Sequence, residues 1–510
     1  MKVNGNPLRL SWCNWASNTR FVCALYGLSD DAGLLLPFTR LIAVNSDGSD
    51  VKQLGQRASS SALGIRQFDG DVIGWNASDD GQILMSRTYV PENTIGTHLA
   101  STSEGLGVDR INTLTLKSTR VEQPKTNITA YIADTNGVVR IKQTEDASDD
   151  GTLRGVTRYY YRMADSRDWK PFSEVREGGD GLDPIAIDSA QNIAYAFGKK
   201  DGRLVLNKVT LDGQLTRTLV FANDKVDVDR TIRMGRSGRV IGVEFVTDKR
   251  ETIIFDPEYN ALAKRLGKAL PGLPLVQFVD ASRDEKRLLL FAGSDTDPGR
   301  YYIYDKATKR LNEIALTRPQ LETVTLSTVK SILYPAADGT MIPAYLTLPP
   351  GSTGKGLPAL VMPHGGPSAR DEWGFDWLSQ YFASQGYAVL QPNFRGSSGY
   401  GDDWYQSNGF KSWRTAIGDV NDAGRWLIAQ GIAQPKKLGI FGWSYGGYAA
   451  LQSGVLDPDL FKAVVAVAPV TDLRMLINQS RAYTNSSLVA KEVGAGDHIV
   501  AGSPLQQVSL

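Results

Sequence analysis

Histidine and cysteine are the scarce residues of this 510-residue chain, with three of the first and two of the second. Two cysteines cannot make a disulfide framework, so buried apolar surface has to hold a chain of this length together. Cys13 and Cys23 lie symmetrically about Asn18-Thr19, which reads as a hairpin turn. Facing each other across two strands they form either a disulfide or a pair of buried thiols, and they leave the compartment open. No cluster of metal ligands and no nucleotide-binding fingerprint occurs, so neither a metal nor a cofactor is expected. No apolar run reaches 18 residues and no basic start precedes an apolar segment, so a membrane span and a secretion signal are not expected. An export signal would be missed only if the chain begins late. Charge of one sign is lacking too, since 56 Lys and Arg stand against 55 Asp and Glu. A balanced chain offers nucleic acid or an anionic membrane no long-range field, so neither is expected as a partner.

From residue 1 to about 325 short apolar runs rich in Val, Ile, Leu, Tyr and Thr alternate with polar turns, and helical periodicity is almost absent. Turn clusters such as Ala16-Ser17-Asn18-Thr19-Arg20, Asp134-Thr135-Asn136-Gly137 and Gly235-Arg236-Ser237-Gly238-Arg239 recur near residues 18, 81, 137, 192, 238 and 285. Four-stranded units at such intervals predict a β-propeller over residues 1–325, in which each blade buries its faces against its neighbours. About six blades are visible, and because a propeller closes on itself, blades missing at the N-terminus are an expectation. A pair of β-sandwiches is the competing architecture.

Near Thr325 the texture changes. A hairpin over 331–349 precedes an apolar strand, Leu357 to Met362. A helix-like stretch (Phe375 to Gln385), a strand (Tyr387 to Leu390) and a helix with Ile417, Val420, Ala423 and Leu427 on one face follow. Alternating β and α units predict a doubly wound, mostly parallel sheet over residues 331–510.

The chemistry centres on Gly442-Trp443-Ser444-Tyr445-Gly446, which follows the apolar run Lys437 to Phe441 and precedes Gly447-Tyr448-Ala449-Ala450-Leu451. Strand, sharp turn and helix are what a nucleophile elbow requires, with glycines flanking the serine because a strained turn leaves no room for Cβ atoms. Ser444 is the candidate nucleophile. An acyl-transfer site also needs two N–H donors for the oxyanion, one from the residue after the nucleophile and one from an earlier strand-end loop. Tyr445 and Gly366, the latter in His364-Gly365-Gly366-Pro367, are the candidates. A third loop, Asn393-Phe394-Arg395-Gly396, places Arg395 as either a substrate-anchoring charge or half of a structural ion pair.

With Gly399-Tyr400-Gly401 and Ala468-Pro469-Val470-Thr471-Asp472 added, these motifs resemble those of the prolyl oligopeptidase family of serine peptidases, most closely its acylaminoacyl-peptidase and dipeptidyl-peptidase branches. The resemblance covers 331–510 and implies an α/β-hydrolase domain behind a gating propeller, a peptide substrate, and Tyr445, Val470, Leu473 and Leu476 as the lining of the S1 pocket. Leucines stand where the dipeptidyl branch has aromatic residues. Hydrolases of this class order their triad Ser, Asp or Glu, His. Only 66 residues follow Ser444, so the Asp and His are expected beyond residue 510 and both domains are expected to be incomplete. Of the histidines present, His98 falls in a propeller loop, His364 precedes the nucleophile, and His498, beside Asp497, reads as a surface loop residue. The chain alone is therefore expected to be a very weak peptidase. A carboxylesterase or other acyl hydrolase, and a non-catalytic propeller binding protein that keeps the elbow as scaffold, are the competing functions.

Overall fold

The turn at Asn18-Thr19 joins Arg9–Ser17 to Arg20–Asp31, and the turn clusters near residues 137, 192, 238 and 285 close the corresponding hairpins in the computed structural model, which describes residues 8–31, 34–56, 59–75, 81–94, 99–176, 179–405 and 408–508. Ser78, Asp79 and Asp80 of the second cluster lie outside the described residues. Six antiparallel sheets result, over 9–53, 72–125, 128–176, 183–221, 228–254 and 275–316. Among the described residues five of them have four strands and the fifth has three. Trp15, Trp75, Tyr131, Ile187, Arg233 and Asp280, one from the first strand of each sheet, border a single cavity of about 910 Å³. Six sheets around one axis are the blades of a β-propeller.

Blade-on-blade packing explains why the apolar pattern is only partly alternating. Val22, Cys23, Ala24 and Leu25 are consecutive on a second strand and all buried, because both faces of that strand meet a neighbour. Arginines just past the turns tie blades together. Arg20 is fully buried and its Nε donates to the Thr113 carbonyl of blade two, while the Arg140 guanidinium of blade three donates to Asn192 Oδ1 of blade four. Cys13 and Cys23 are directly opposite in register and form a disulfide.

One element goes against the sequence reading. Pro257–Ala269 is a helix, with Asp256 accepting from the N–H groups of Glu258 and Tyr259 at its start. Its buried face of Tyr259, Leu262 and Leu266 packs between blades five and six on Ile232, Met234, Leu288 and Leu290. Three residues at helical spacing amid a long β repeat are easily overlooked.

Beyond the propeller a six-stranded mixed sheet runs in the order Val329–Pro335, Met341–Thr347, Ala388–Pro392, Leu357–Val361, Ala433–Trp443, Ala463–Val467. The first two pairings are antiparallel and the last three parallel. The helix Trp413–Ala429 buries Ile417, Val420, Ala423 and Leu427 against it. This is an α/β-hydrolase sheet following a propeller. Val464 and Val465 on its edge strand are 39% and 44% exposed. No described helix is long and apolar enough to cross a membrane.

Among the described residues the blades meet this sheet through one end. The Gly202 carbonyl accepts from Asp402 N, Lys199 Nζ lies 2.7 Å from Asp402, and Asp227 N donates to the Gly399 carbonyl. Gly202 lies in the turn between second and third strands and Asp227 just before a first strand. Since strands alternate in direction, the turns between first and second strands point away from the α/β sheet.

Candidate active site

Leu357–Val361 and Ala433–Trp443 are parallel neighbours, pairing Val361 with Ile440, so the loops that leave them emerge on one edge of the sheet. At the end of the second strand the backbone turns through Ser444 at φ 58°, ψ −119° and enters the helix Tyr445–Leu456. A non-glycine residue at positive φ is strained, and the strain is held by hydrogen bonds on both sides, Ser444 N to the Val467 carbonyl and Tyr448 N to the Ser444 carbonyl. The glycines are steric necessities. A Cβ on Gly442 would lie 1.9 Å from the Gly446 carbonyl oxygen, and one on Gly446 would lie 2.2 Å from that of Pro363. Gly446→Ala is accordingly expected to destabilise the protein by about 1–3 kcal/mol, read from the urea midpoint, by forcing the helix away from the 363–366 loop.

That loop sits beside the serine. A Cβ on Gly365 would be 3.7 Å from Ser444 Cβ, so Gly365 borders the Ser444 side chain and Gly366 follows it in the loop. Tyr445 N is the first of its helix and has no intrahelical acceptor. The Gly366 N–H has no acceptor among the described residues. His364 is turned away from the serine. Its Nδ1 lies 2.6 Å from the Gly365 carbonyl, its Nε2 2.8 Å from Ser397 Oγ, and its ring stacks on Phe394 at 4.5 Å. Burial pulls its pKa down to about 4, so the ring is neutral. Nδ1–H donates to the Gly365 carbonyl, while Ser397 Oγ, beside Nε2, gives its own proton to the Phe394 carbonyl at 2.6 Å.

Tyr445 itself points inward. It is 1% exposed, donates from its hydroxyl to the Gly409 carbonyl, and packs among Phe394, Phe410 and Tyr448. Val470 and Leu476 are partly buried against the same apolar core. Leu473 departs from the expected pocket lining. It is fully buried in that core, its N–H donating to Ser503 Oγ, because Asp472 caps the helix Leu473–Ser480 and turns its first residue inward. Of the two readings of Arg395 the geometry fits the ion pair: its Nε and Nη2 donate to Asp419 at 2.9 and 2.6 Å and its Nη1 to Asp338 at 2.6 Å, which leaves little of the guanidinium for a substrate. His498 Nε2 lies 2.7 Å from the Val493 carbonyl, at the end of the helix Ser486–Val493. His98 lies outside the described residues. Among the described residues the Ser444 hydroxyl makes no hydrogen bond, and no group of three or more His, Cys, Asp and Glu side chains is placed to hold a metal ion.

Sequence reasoning missed the segment after the loop. Arg370 donates to the Val246 and Thr247 carbonyls of blade five, Glu372 pairs with Arg250 at 2.5 Å, and Lys249 lies 3.7 Å over the Trp373 ring. The signal was only a charged triplet, and the blade-five partners of Arg370 and Glu372 lie more than 100 residues away in sequence. Asp371, in the middle, has its N–H bonded to Asn393 Oδ1 and its Oδ2 without a partner. Burial, with Asp376 nearby, pushes its carboxyl up to about 7. The native state therefore holds this proton across a range in which the unfolded chain has released it. Its contribution is fully present below about pH 4 and is lost as pH rises through 7. Asp371→Asn is expected to leave stability unchanged at pH 4 and to raise it at pH 8 by up to about 4 kcal/mol, checked by urea unfolding at both values.

Residues 373–495 match the prolyl oligopeptidase family. Dipeptidyl aminopeptidase BIII of Pseudoxanthomonas mexicana is 29% identical over 391 residues, 74% of this chain and 55% of that protein. Dipeptidyl peptidase family member 6 of Caenorhabditis elegans is 25% identical, over 63% of this chain and 46% of its own length. The chain thus spans about half the length of these curated relatives. Among solved structures, prolyl oligopeptidase B from Galerina marginata aligns with 99% of the chain and 70% of its own at a TM-score of 0.65 and 15% identity, a likeness of fold.

Proposed function

We propose that this chain, which carries a prolyl oligopeptidase family domain over residues 373–495, belongs to a serine peptidase that hydrolyses peptides through an acyl-enzyme on Ser444. One observation carries the proposal: Ser444 stands at a left-handed turn between strand and helix with the His364-Gly365-Gly366 loop against it. In the reaction Ser444 Oγ attacks the scissile carbonyl, and the Tyr445 and Gly366 N–H groups stabilise the oxyanion where charge develops. A base has to take the Ser444 proton and return it to the leaving amine, and an acid has to orient that base. His364 and His498 are both held in other hydrogen bonds, so we assign base and acid to residues outside the described ones. Val470 and Leu476, on the core beside Tyr445, are the apolar groups that we assign to the substrate side chain. The blades down to residue 316 would act as the gate and the sheet from residue 329 as the catalytic unit.

The test is hydrolysis by protein expressed from its complete coding frame, with peptide and ester substrates of matched side chain. Peptide turnover that disappears in Ser444→Ala supports the proposal. Turnover of esters alone would make the protein an acyl hydrolase, and turnover of neither would leave a propeller binding protein.

A further inference from the structure

We propose that blade five holds the oxyanion loop in place, with Arg370 and Asp227 as positioning residues that fix the segment carrying Gly366 beside Ser444. The proposal rests on the peptidase reading of Ser444. It gives the propeller a task that gating does not require, which is to shape the catalytic centre.

Residues 363–373 form neither helix nor strand. Of their amides, Ala369 N donates to the Pro367 carbonyl within the loop and Asp371 N to Asn393 Oδ1. A glycine-rich loop with so few bonds of its own needs support from outside to keep one N–H aimed at a developing oxyanion. Arg370, four residues after Gly366, reaches that support. Its Nη1 donates to the Val246 carbonyl at 3.1 Å, and its Nη2 donates to the Thr247 carbonyl at 3.3 Å and the Tyr400 hydroxyl at 2.8 Å. The guanidinium also lies 4.1 Å over the Tyr400 ring. Val246 to Arg250 is the turn between the second and third strands of blade five. That turn is itself fixed to the α/β sheet, since the buried Tyr345 donates from its hydroxyl to the Asp248 carbonyl at 2.9 Å. What the turn holds is therefore held relative to the sheet that carries Ser444.

A second grip comes from the start of the same blade. Asp227 N donates to the Gly399 carbonyl at 3.0 Å, and Asp227 Oδ2 accepts from Gly401 N at 3.2 Å. The loop so held returns to the first loop at two points, through Ser398 N to the Ala369 carbonyl and through Ser397 Oγ, 2.8 Å from His364 Nε2. Gly399 makes room for the arginine. At φ 88°, a Cβ there would lie 3.0 Å from Arg370 Cδ. Among the described residues no carboxylate pairs with Arg370, and its acceptors are two carbonyls and a hydroxyl. The requirement is thus for a planar fork that reaches three oxygens at once, which an ammonium does not reproduce. Docking of the propeller alone would be served by contacts elsewhere, such as Lys199 with Asp402 or Asp295 with Val329 N. Arg370 differs in standing on the loop that borders Ser444.

Amide hydrogen exchange and steady-state kinetics of protein expressed from its complete coding frame test this. In Arg370→Met, exchange at Ala369, Asp371 and Ser398 should be at least about tenfold faster, with no change at Tyr448, whose N–H bonds the Ser444 carbonyl. For a dipeptide anilide too small to be gated, kcat should fall by about 10²-fold, the loss expected from an ångström of misplacement, with KM unchanged. Arg370→Lys should recover part of both effects. Asp227→Asn should speed exchange at Ser398 and lower kcat in the same direction, and it carries the comparison where Arg370→Met does not fold. Lys199→Met, which removes a blade-four contact, should match the parent in both readouts. Unchanged exchange at Ala369 and Asp371 in Arg370→Met would overturn the proposal. So would a uniform rise that includes Tyr448, which reports lost stability alone, or a faster loop with kcat intact. A parent without Ser444-dependent turnover sinks the catalytic reading, while exchange at Ala369 and Asp371 still decides whether blade five holds the loop.

Discussion

Ser444→Ala, in protein expressed from its complete coding frame, is expected to lower peptide turnover by about 10⁶-fold, the loss typical when a triad nucleophile is removed. Residues 1–510 by themselves are expected to turn over little better than that variant, within roughly 10³–10⁴-fold of the uncatalysed reaction. The argument is geometric. The Ser444 hydroxyl has no hydrogen-bond partner among the described residues, His364 is neutral and bonded to Gly365 and Ser397, and His498 is bonded to Val493. Without a positioned base the hydroxyl keeps its proton and is a poor nucleophile, even where the oxyanion donors are intact. Vigorous turnover by residues 1–510, abolished by His498→Ala, would show that the wrong histidine has been set aside.

Arg395→Met is expected to destabilise the protein by about 3–5 kcal/mol, because it strands a buried carboxylate. Asp419 is 1% exposed and receives three hydrogen bonds from Arg395, from its backbone N, Nε and Nη2. Burial pushes the Asp419 carboxyl up even with Arg395 against it, so desolvation is not fully offset and losing the partner leaves the cost exposed. The loss should appear as a lower urea midpoint. A substrate-anchoring arginine would behave in the opposite way, raising KM tenfold or more with the midpoint unchanged.

What could be read from the sequence is what sterics and repetition write locally. The turn clusters could be placed because every blade needs a polar turn between its first two strands, and Asn18, Gly137, Asn192, Gly238 and Glu285 all fall in or beside such turns. Ser444 could be placed because Gly442 and Gly446 have carbonyl oxygens where Cβ atoms would be. The rest depends on residues far apart in the chain. Arg395 after a strand looks the same whether Asp419 or a substrate awaits it, and Leu473, which the family resemblance implied as pocket lining, is turned into the core by its helix start. Arg370 and Glu372 gave no hint of Val246 and Arg250. The helix Pro257–Ala269 was hidden by the β repeat around it, although Asp256-Pro257 is a recognisable start.

The most direct test of the central claim is a crystal structure of the full-coding-frame protein after reaction with a fluorophosphonate. The account predicts one covalent adduct, on Ser444 Oγ, with its phosphoryl oxygen within about 3 Å of both Tyr445 N and Gly366 N. An adduct on any other residue, or a phosphoryl oxygen that neither N–H reaches, would contradict it.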